Sequence, residues 1–228
     1  MPKHIGIVAV SAEGAALCYR TICNEGADLF GRHAHPEITM HTYPLSEYMR
    51  AIDAGEWNAA GNLILASAHK LADVGAEFLI CPDNTVHQAI DLVRARSPLP
   101  WLHIAEVVAS EAAQHGYRRL GLLGTRYLME GPVYPAKLAP ERLEHRLPDA
   151  PSRERINRII FDDLVYGRIE ASARSYFQDV IAALARDGCD AVVLGCTEIP
   201  LLISPADSPL PTLDSTRLLA RAALREAA

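Results

Sequence analysis

The residue whose type and setting best suit chemistry is Cys196. It follows a short apolar run and Gly195, and it precedes Thr197 and Glu198. Glycine lets the backbone approach a ligand closely, and the free N–H groups of a helix beginning near Thr197 would favour a thiolate. Most free cysteines are small buried hydrophobic residues, and we expect that role for the other four. We expect Cys196 to be a chemically active thiol at the end of a strand.

Asp83 occupies the position that matches Cys196 in an internal repeat. Residues 75–85 align without a gap with residues 188–198, and each segment has a glycine, an acidic residue, an apolar run and a polar cluster. By local sequence alone, Asp83 would be an ordinary turn or N-cap residue. The repeat instead predicts two similar lobes, with Asp83 and Cys196 at strand ends that face one cleft. Two such groups could remove a proton from one face of a carbon and deliver one to the other.

The fold class predicted from the pattern is α/β. Short apolar runs alternate with longer amphipathic stretches, which is typical of parallel strands joined by helices. Each lobe is expected to hold a mainly parallel sheet flanked by helices. Pro-rich segments at 97–100 and 208–212 are the expected crossings, so the predicted lobes are 1–97 plus 213–228 and 98–212. The predicted strands are 5–10, 38–43, 78–81, 101–104, 120–123, 144–147 and 191–194, and residues 56–74 and 155–187 are predicted to be rich in helix, with a final helix from Leu213.

Composition narrows the class of partner. The chain has 228 residues, a formal charge of -6 and no Lys/Arg-rich run, which argues against nucleic acid. No apolar stretch is long enough to cross a membrane, and the first residues lack the pattern of a signal peptide. Five scattered cysteines fit reduced thiols, so we expect a cytoplasmic protein. No zinc-binding cysteine pair, phosphate-binding loop or dinucleotide fingerprint is present, so we expect neither a metal nor a cofactor.

Several motifs give the chain a family resemblance. They are the first strand and loop at 5–13, Asp-Asn-Thr-Val-His at 83–87, Leu-Gly-Thr at 123–125 and Leu-Gly-Cys-Thr-Glu at 194–198. With them the chain resembles the aspartate/glutamate racemase family, which also includes hydantoin racemases, maleate isomerases and arylmalonate decarboxylases. Residues 121–130 are most similar to the branch with broad-specificity amino-acid racemases. The resemblance implies two lobes related by a pseudo-twofold axis, an active site between them, no cofactor, and a homodimer.

The resemblance also implies roles for individual residues. Family racemases typically carry a cysteine at both matching positions, whereas here the first is Asp83. Asp83 and Cys196 are the implied catalytic pair. The implied substrate-binding residues are Ser11, Asn84, Thr85, Thr125 and Thr197. His87 and His103 also fall where family members often have histidine, and we leave both out of the catalytic set.

An Asp/Cys pair changes the expected chemistry. Ordinary pKa values of about 3.9 and about 8.5 separate the two groups by roughly 6 kcal/mol before the site adjusts them. We expect racemisation or epimerisation of an amino acid with an acidic or small polar side chain. The alternatives are an isomerase or decarboxylase of the same superfamily that uses one cysteine, and a non-catalytic binder of a small amino-acid or carboxylate ligand.

Overall fold

The chain forms two compact units. The computed structural model describes all 228 residues, with residues 1–104 and 216–228 in the first unit and residues 105–215 in the second. Each unit contains a four-stranded parallel sheet accompanied by helices. The prediction of an α/β protein with two similar lobes is confirmed.

The first unit is built around a continuously buried central strand. Its elements are β1 (Ile5–Ala9), α1 (Ala12–Glu25), α2 (Ala27–Phe30), β2 (Ile38–Thr42), α3 (Leu45–Asp53), α4 (Trp57–Asp73), β3 (Phe78–Ile80), α5 (His87–Val93) and β4 (Trp101–Leu102). The strand order is β2-β1-β3-β4, and every pairing is parallel. All residues of β1 and β3 are buried, as expected of parallel strands covered on both faces.

The second unit repeats this order. Its elements are α6 (Ile104–Gln114), β5 (Arg119–Leu123), α7 (Arg126–Met129), α8 (Val133–Leu138), β6 (Glu144–Arg146), α9 (Ala150–Asp162), α10 (Ala171–Arg186), β7 (Ala191–Leu194), α11 (Ile199–Leu202) and β8 (Thr212–Asp214), followed by α12 (Ser215–Ala227), which returns to the first unit. The strand order β6-β5-β7-β8 has the same connectivity as the first sheet, and the pairings are again parallel.

The two segments of the internal repeat make the same structural contacts in their own units. Gly75 and Gly188 follow α4 and α10 with φ values of +91° and +83°, a conformation that suits glycine. Glu77 accepts a hydrogen bond from the His4 backbone N–H. Asp190 likewise accepts from the backbone N–H of Arg119. Each acidic residue therefore ties the strand that follows it to the start of the neighbouring central strand.

The two Pro-rich segments also form a structural pair. Ser97 Oγ donates to the Leu99 carbonyl, and Ser208 Oγ donates to the Leu210 carbonyl. Each segment leads into the last strand of its own sheet, β4 or β8. The units divide at 104/105 and 215/216, whereas the sequence places the boundaries at 97/98 and 212/213.

A further difference from the sequence-based expectation concerns the second unit. Strand β8 was not expected, because its three residues directly follow Pro211 and are too few to give a pattern. The stretch 155–187, predicted to be rich in helix, holds most of α9 and all of α10, and the turn between these helices includes Gly167 with a φ of +71°. None of the helices has the length and apolarity required to cross a membrane.

Candidate active site

In the first unit, the site residues predicted from the sequence collect at the carboxyl ends of two neighbouring strands. Ser11 follows β1, and Asp83, Asn84 and Thr85 follow β3. Strands β1 and β3 are paired in parallel, so these residues share one edge of the sheet. Ser11 is the N-cap of α1, and its Oγ accepts a hydrogen bond from the Gly14 backbone N–H at 3.4 Å.

Asp83 lies in a turn that it helps to hold. The Val86 backbone N–H donates to Asp83 Oδ1 at 3.3 Å. Asp83 is partly exposed, whereas the neighbouring Asn84 is buried. Asp83 therefore stabilises the turn, as its local sequence suggests. The bond to Val86 uses only Oδ1 of its carboxylate.

Cys81, two residues before Asp83, is not a candidate for the acid/base role of this unit. It is fully buried, and burial raises the pKa of its thiol well above the usual range. The Asp83 carboxylate raises that pKa further, while a hydrogen bond from the Asp83 backbone lowers it. The pKa of the buried Tyr48 phenol is also raised, mainly by burial and further by Cys81 and Asp83. Both groups therefore keep their protons, and Asp83 is the candidate acid/base group of this unit.

In the second unit, two glycines bring the corresponding loops together. Thr125 follows β5 and Cys196 follows β7, and these strands are neighbours. The Gly195 N–H donates to the Leu123 carbonyl at 2.7 Å. A Cβ on Gly195 would lie 2.8 Å from that carbonyl oxygen, and a Cβ on Gly124 would lie 3.2 Å from the Gly195 oxygen. Only glycines permit this approach, which places the Thr125 loop directly beside the Cys196 loop.

Cys196 is held by a buried carboxylate. Its Sγ donates to Glu198 Oε2 at 2.9 Å, and Thr197 Oγ1 donates to the same oxygen at 2.9 Å. Glu198 is 3% exposed, and its Oε1 is buried without a hydrogen-bond partner. A helix beginning near Thr197 would place its N–H groups beside the sulfur and favour a thiolate. The following helix, α11, instead begins at Ile199, and the sulfur lies 2.9 Å from Oε2 of the buried Glu198 carboxyl group.

Sequence reasoning left two roles open for Glu198, to polarise or orient a neighbouring group or to cap the following helix. Glu198 lies two residues after Cys196 in the sequence, but an acidic residue before a helix is also an ordinary cap. In the structure it makes no side-chain capping bond to α11, because Oε2 faces Cys196 and Thr197. Thr125, by contrast, does cap its helix, with Oγ1 accepting from the Leu128 N–H at 3.2 Å.

A family model described as Asp/Glu/Hydantoin racemase matches residues 5–223. The chain belongs to the Asp/Glu/hydantoin racemase family. This confirms the resemblance read from the motifs and the prediction of an isomerase of the racemase class. Broad specificity amino-acid racemase RacX of Bacillus subtilis (strain 168) is 23% identical over 188 residues, which cover 82% of this chain and 80% of that protein.

Solved structures of the family support the same assignment. A candidate Asp/Glu racemase from Yersinia pestis is 33% identical with a TM-score of 0.90, covering 99% of both chains. An aspartate racemase homologue from Pyrococcus horikoshii OT3 is 27% identical with a TM-score of 0.85, covering 100% of this chain and 99% of that one. A glutamate racemase from Francisella tularensis with bound D-glutamate is 12% identical with a TM-score of 0.69, covering 97% and 79%, and shows the shared fold.

Proposed function

We propose that this racemase-family protein racemises or epimerises an amino acid at its α-carbon, with Asp83 and Cys196 as the two acid/base groups. The observation that carries the proposal is the Cys196 side chain held at the end of β7 by a hydrogen bond to the buried carboxyl group of Glu198. Proposed substrate contacts come from Ser11, Asn84, Thr85, Thr125 and Thr197. An acidic or small polar side chain is the proposed substrate class, in keeping with the similarity to an aspartate racemase homologue and to a broad-specificity racemase.

The proposed proton transfers serve opposite faces of the α-carbon. For one enantiomer, the Asp83 carboxylate removes the α-proton, and the Cys196 thiol delivers its proton to the other face. The products are the mirror-image amino acid, a protonated Asp83 and a Cys196 thiolate. The other enantiomer uses that second state in reverse. Backbone and side-chain donors around Asn84, Thr85 and Thr197 are suited to stabilise the intermediate carbanion without a cofactor.

Glu198 is the proposed positioning residue of the thiol. Its Oε2 accepts the Cys196 S–H and the Thr197 hydroxyl together, which fixes the direction of both groups. A buried carboxylate with an unsatisfied oxygen is a costly arrangement, and such arrangements are common where a site must hold or move a proton. Glu198 can therefore keep the Cys196 proton ready for delivery.

The test is α-proton exchange in deuterium oxide. Each enantiomer of a panel of amino acids is incubated with the protein, and deuterium incorporation and enantiomer ratio are measured by mass spectrometry and chiral chromatography. We expect exchange and inversion for at least one acidic or small polar amino acid, and we expect inversion to be abolished in Cys196→Ala. Absence of exchange for the whole panel would refute the racemase proposal, and binding without exchange would favour a non-catalytic binder.

A one-sided reaction is the second candidate, and a specific observation favours it. In the first unit, Asp83 takes the position that matches Cys196, and the nearby Cys81 is buried with a raised pKa. A single thiol can protonate an enediolate from one face, which would give stereospecific decarboxylation or isomerisation. Release of carbon dioxide from substituted malonates, with one product enantiomer, would distinguish this candidate from racemisation.

We also propose that the protein is a cytoplasmic homodimer. The dimer is suggested by the family resemblance, and light scattering coupled to size-exclusion chromatography tests it through the molar mass. All five cysteines are free, which fits a reducing compartment.

A further inference from the structure

The buried ring of His87 closes the turn that carries Asp83. His87 is fully buried, and its Nε2 lies 3.0 Å from the carbonyl oxygen of Cys81. Cys81 directly follows β3, and His87 is the first residue of α5. The bond therefore joins the two ends of segment 81–87. Within that segment, the Val86 N–H donates to Asp83 Oδ1 and forms a second tie.

The chemistry of this bond fixes the form of the ring. A carbonyl oxygen can only accept a hydrogen bond, so His87 Nε2 carries a proton and donates it to Cys81. A buried carbonyl oxygen needs such a donor, since burial without one is unfavourable. His87 thus meets a requirement of the backbone just before the turn.

A second histidine packs against the His87 ring and restricts its orientation. The His103 ring packs edge-on against it, with centroids 4.3 Å apart and an interplanar angle of 67°. His103 follows β4, the strand beside β3, and it is 1% exposed. Its Nε2 lies 3.6 Å from Oδ1 of Asp91, which is one helical turn after His87 on α5. Contacts from α5 and from the end of β4 therefore fix the direction of the His87 donor.

We propose that His87 is a positioning residue that sets the geometry of the first-unit half of the site. The proposal rests on the function proposed above, because it assigns His87 a role in that reaction. Asp83, Asn84 and Thr85 all lie between the two ends that the His87 bond joins. Loss of the donor would release one end of the turn and displace the Asp83 carboxylate and the donors beside it. A misplacement of about 1 Å can lower the rate roughly a hundredfold.

The experiment compares two replacements of His87. His87→Gln keeps an N–H donor at nearly the same reach, whereas His87→Phe keeps a ring without a donor. Measurements are kcat and KM for α-proton exchange per folded enzyme, together with amide hydrogen exchange of residues 82–86. We expect His87→Phe to lower kcat about tenfold to a hundredfold and to speed amide exchange in the turn, and His87→Gln to restore much of both.

His4 supplies the matched control. It is a buried histidine of the same unit whose Nε2 lies 2.9 Å from Thr39 Oγ1, before the amino end of β1. His4→Phe should lower thermal stability without changing kcat per folded enzyme or exchange in the turn. Equal impairment of His87→Phe and His87→Gln, or no effect of either, would overturn the proposal.

A measurement on the wild type separates this proposal from the proposed function. Nitrogen-15 NMR of labelled histidine should find His87 protonated at Nε2, and a neutral ring protonated at Nδ1 would overturn the positioning role even if both variants fail to fold. If the wild type exchanges no α-proton, the function fails, and with it the role of His87 in catalysis. The NMR and amide-exchange results would then still report whether the ring closes the turn.

Discussion

At the scale of single residues, the two proposed acid/base groups differ in their surroundings as well as in their type. Asp83 Oδ1 accepts a backbone N–H, an interaction that suits a carboxylate. Cys196 donates its proton to Glu198. Both bonds fit a single resting state, with a charged Asp83 and a neutral Cys196. For racemisation, a state with a protonated Asp83 and a Cys196 thiolate must also form. Its free-energy cost depends on how far the site reduces the difference between the pKa values of the two groups.

Replacement of Asp83 by asparagine separates its two roles. The asparagine amide would keep an oxygen that can accept the Val86 N–H, so the turn should survive, but it cannot exchange a proton at neutral pH. We expect Asp83→Asn to lower racemisation about 10²- to 10⁴-fold, and Asp83→Cys to retain or increase it. Chiral chromatography from both enantiomers gives the rates, with circular dichroism as the check on folding. Equal activity in all three proteins would remove Asp83 from the chemistry.

Replacement of Glu198 tests the positioning of the thiol. Glu198→Gln keeps the size and one oxygen acceptor but removes the charge that faces the Cys196 S–H. We expect kcat to fall roughly tenfold to a hundredfold while KM changes less, because the group acts through Cys196 and not on the bound substrate. The pH dependence of kcat should also shift. If kcat and its pH profile are unchanged, Glu198 has only a structural role and does not position the Cys196 thiol for catalysis.

At the scale of elements, the sequence predicted most of the framework because each central strand is an uninterrupted apolar run. Strands β1, β3, β5 and β7 and the repeat glycines Gly75 and Gly188 were all visible in this way. The short edge strand β8 was not, because pairing with β7 defines it and its three residues carry no period. The contact between Glu198 and Cys196 could not be predicted either, because the direction of a side chain depends on packing that sequence spacing does not reveal.

Because the loops after β5 and β7 lie in close contact, we expect a side chain at position 195 to be poorly tolerated. A Cβ there would lie 2.5 Å from Leu128 Cδ2 and 2.8 Å from the Leu123 carbonyl oxygen, so backbone beside Cys196 would have to move. We expect Gly195→Ala to lower stability by about 1–3 kcal/mol and kcat at least tenfold, measured by urea unfolding and α-proton exchange.

Gly121→Ala is the control for that prediction. Its Cβ would meet the Leu184 side chain at 2.8 Å, within the same sheet but away from the loop. It should destabilise the protein by a similar amount and leave kcat per folded enzyme unchanged. If both variants lose stability but neither loses kcat, the Gly195 approach does not position Cys196.

At the scale of the whole molecule, the chain leaves the first unit and later returns to it. Helix α12 completes that unit from the far end of the sequence. The Lys3 backbone N–H donates to the Ala227 carbonyl at 2.9 Å, and Arg221 makes two hydrogen bonds to Glu25 at 2.7 and 3.0 Å. Leu219 and Leu224 on the same helix are buried. The first unit is therefore built from two segments that are far apart in the sequence.

This connectivity predicts that damage to α12 is felt by residues 1–104. Leu219→Ala should lower the free energy of unfolding by about 2–5 kcal/mol, because it removes a fully buried side chain. Lys3→Ala removes an exposed ion pair with Glu226 and should cost less than about 1 kcal/mol. Native-state hydrogen exchange should find that Leu219→Ala weakens protection in β1 to β4 more than in β5 to β8. Equal loss in both sheets would mean that the two units unfold together and that α12 stabilises the molecule as a whole.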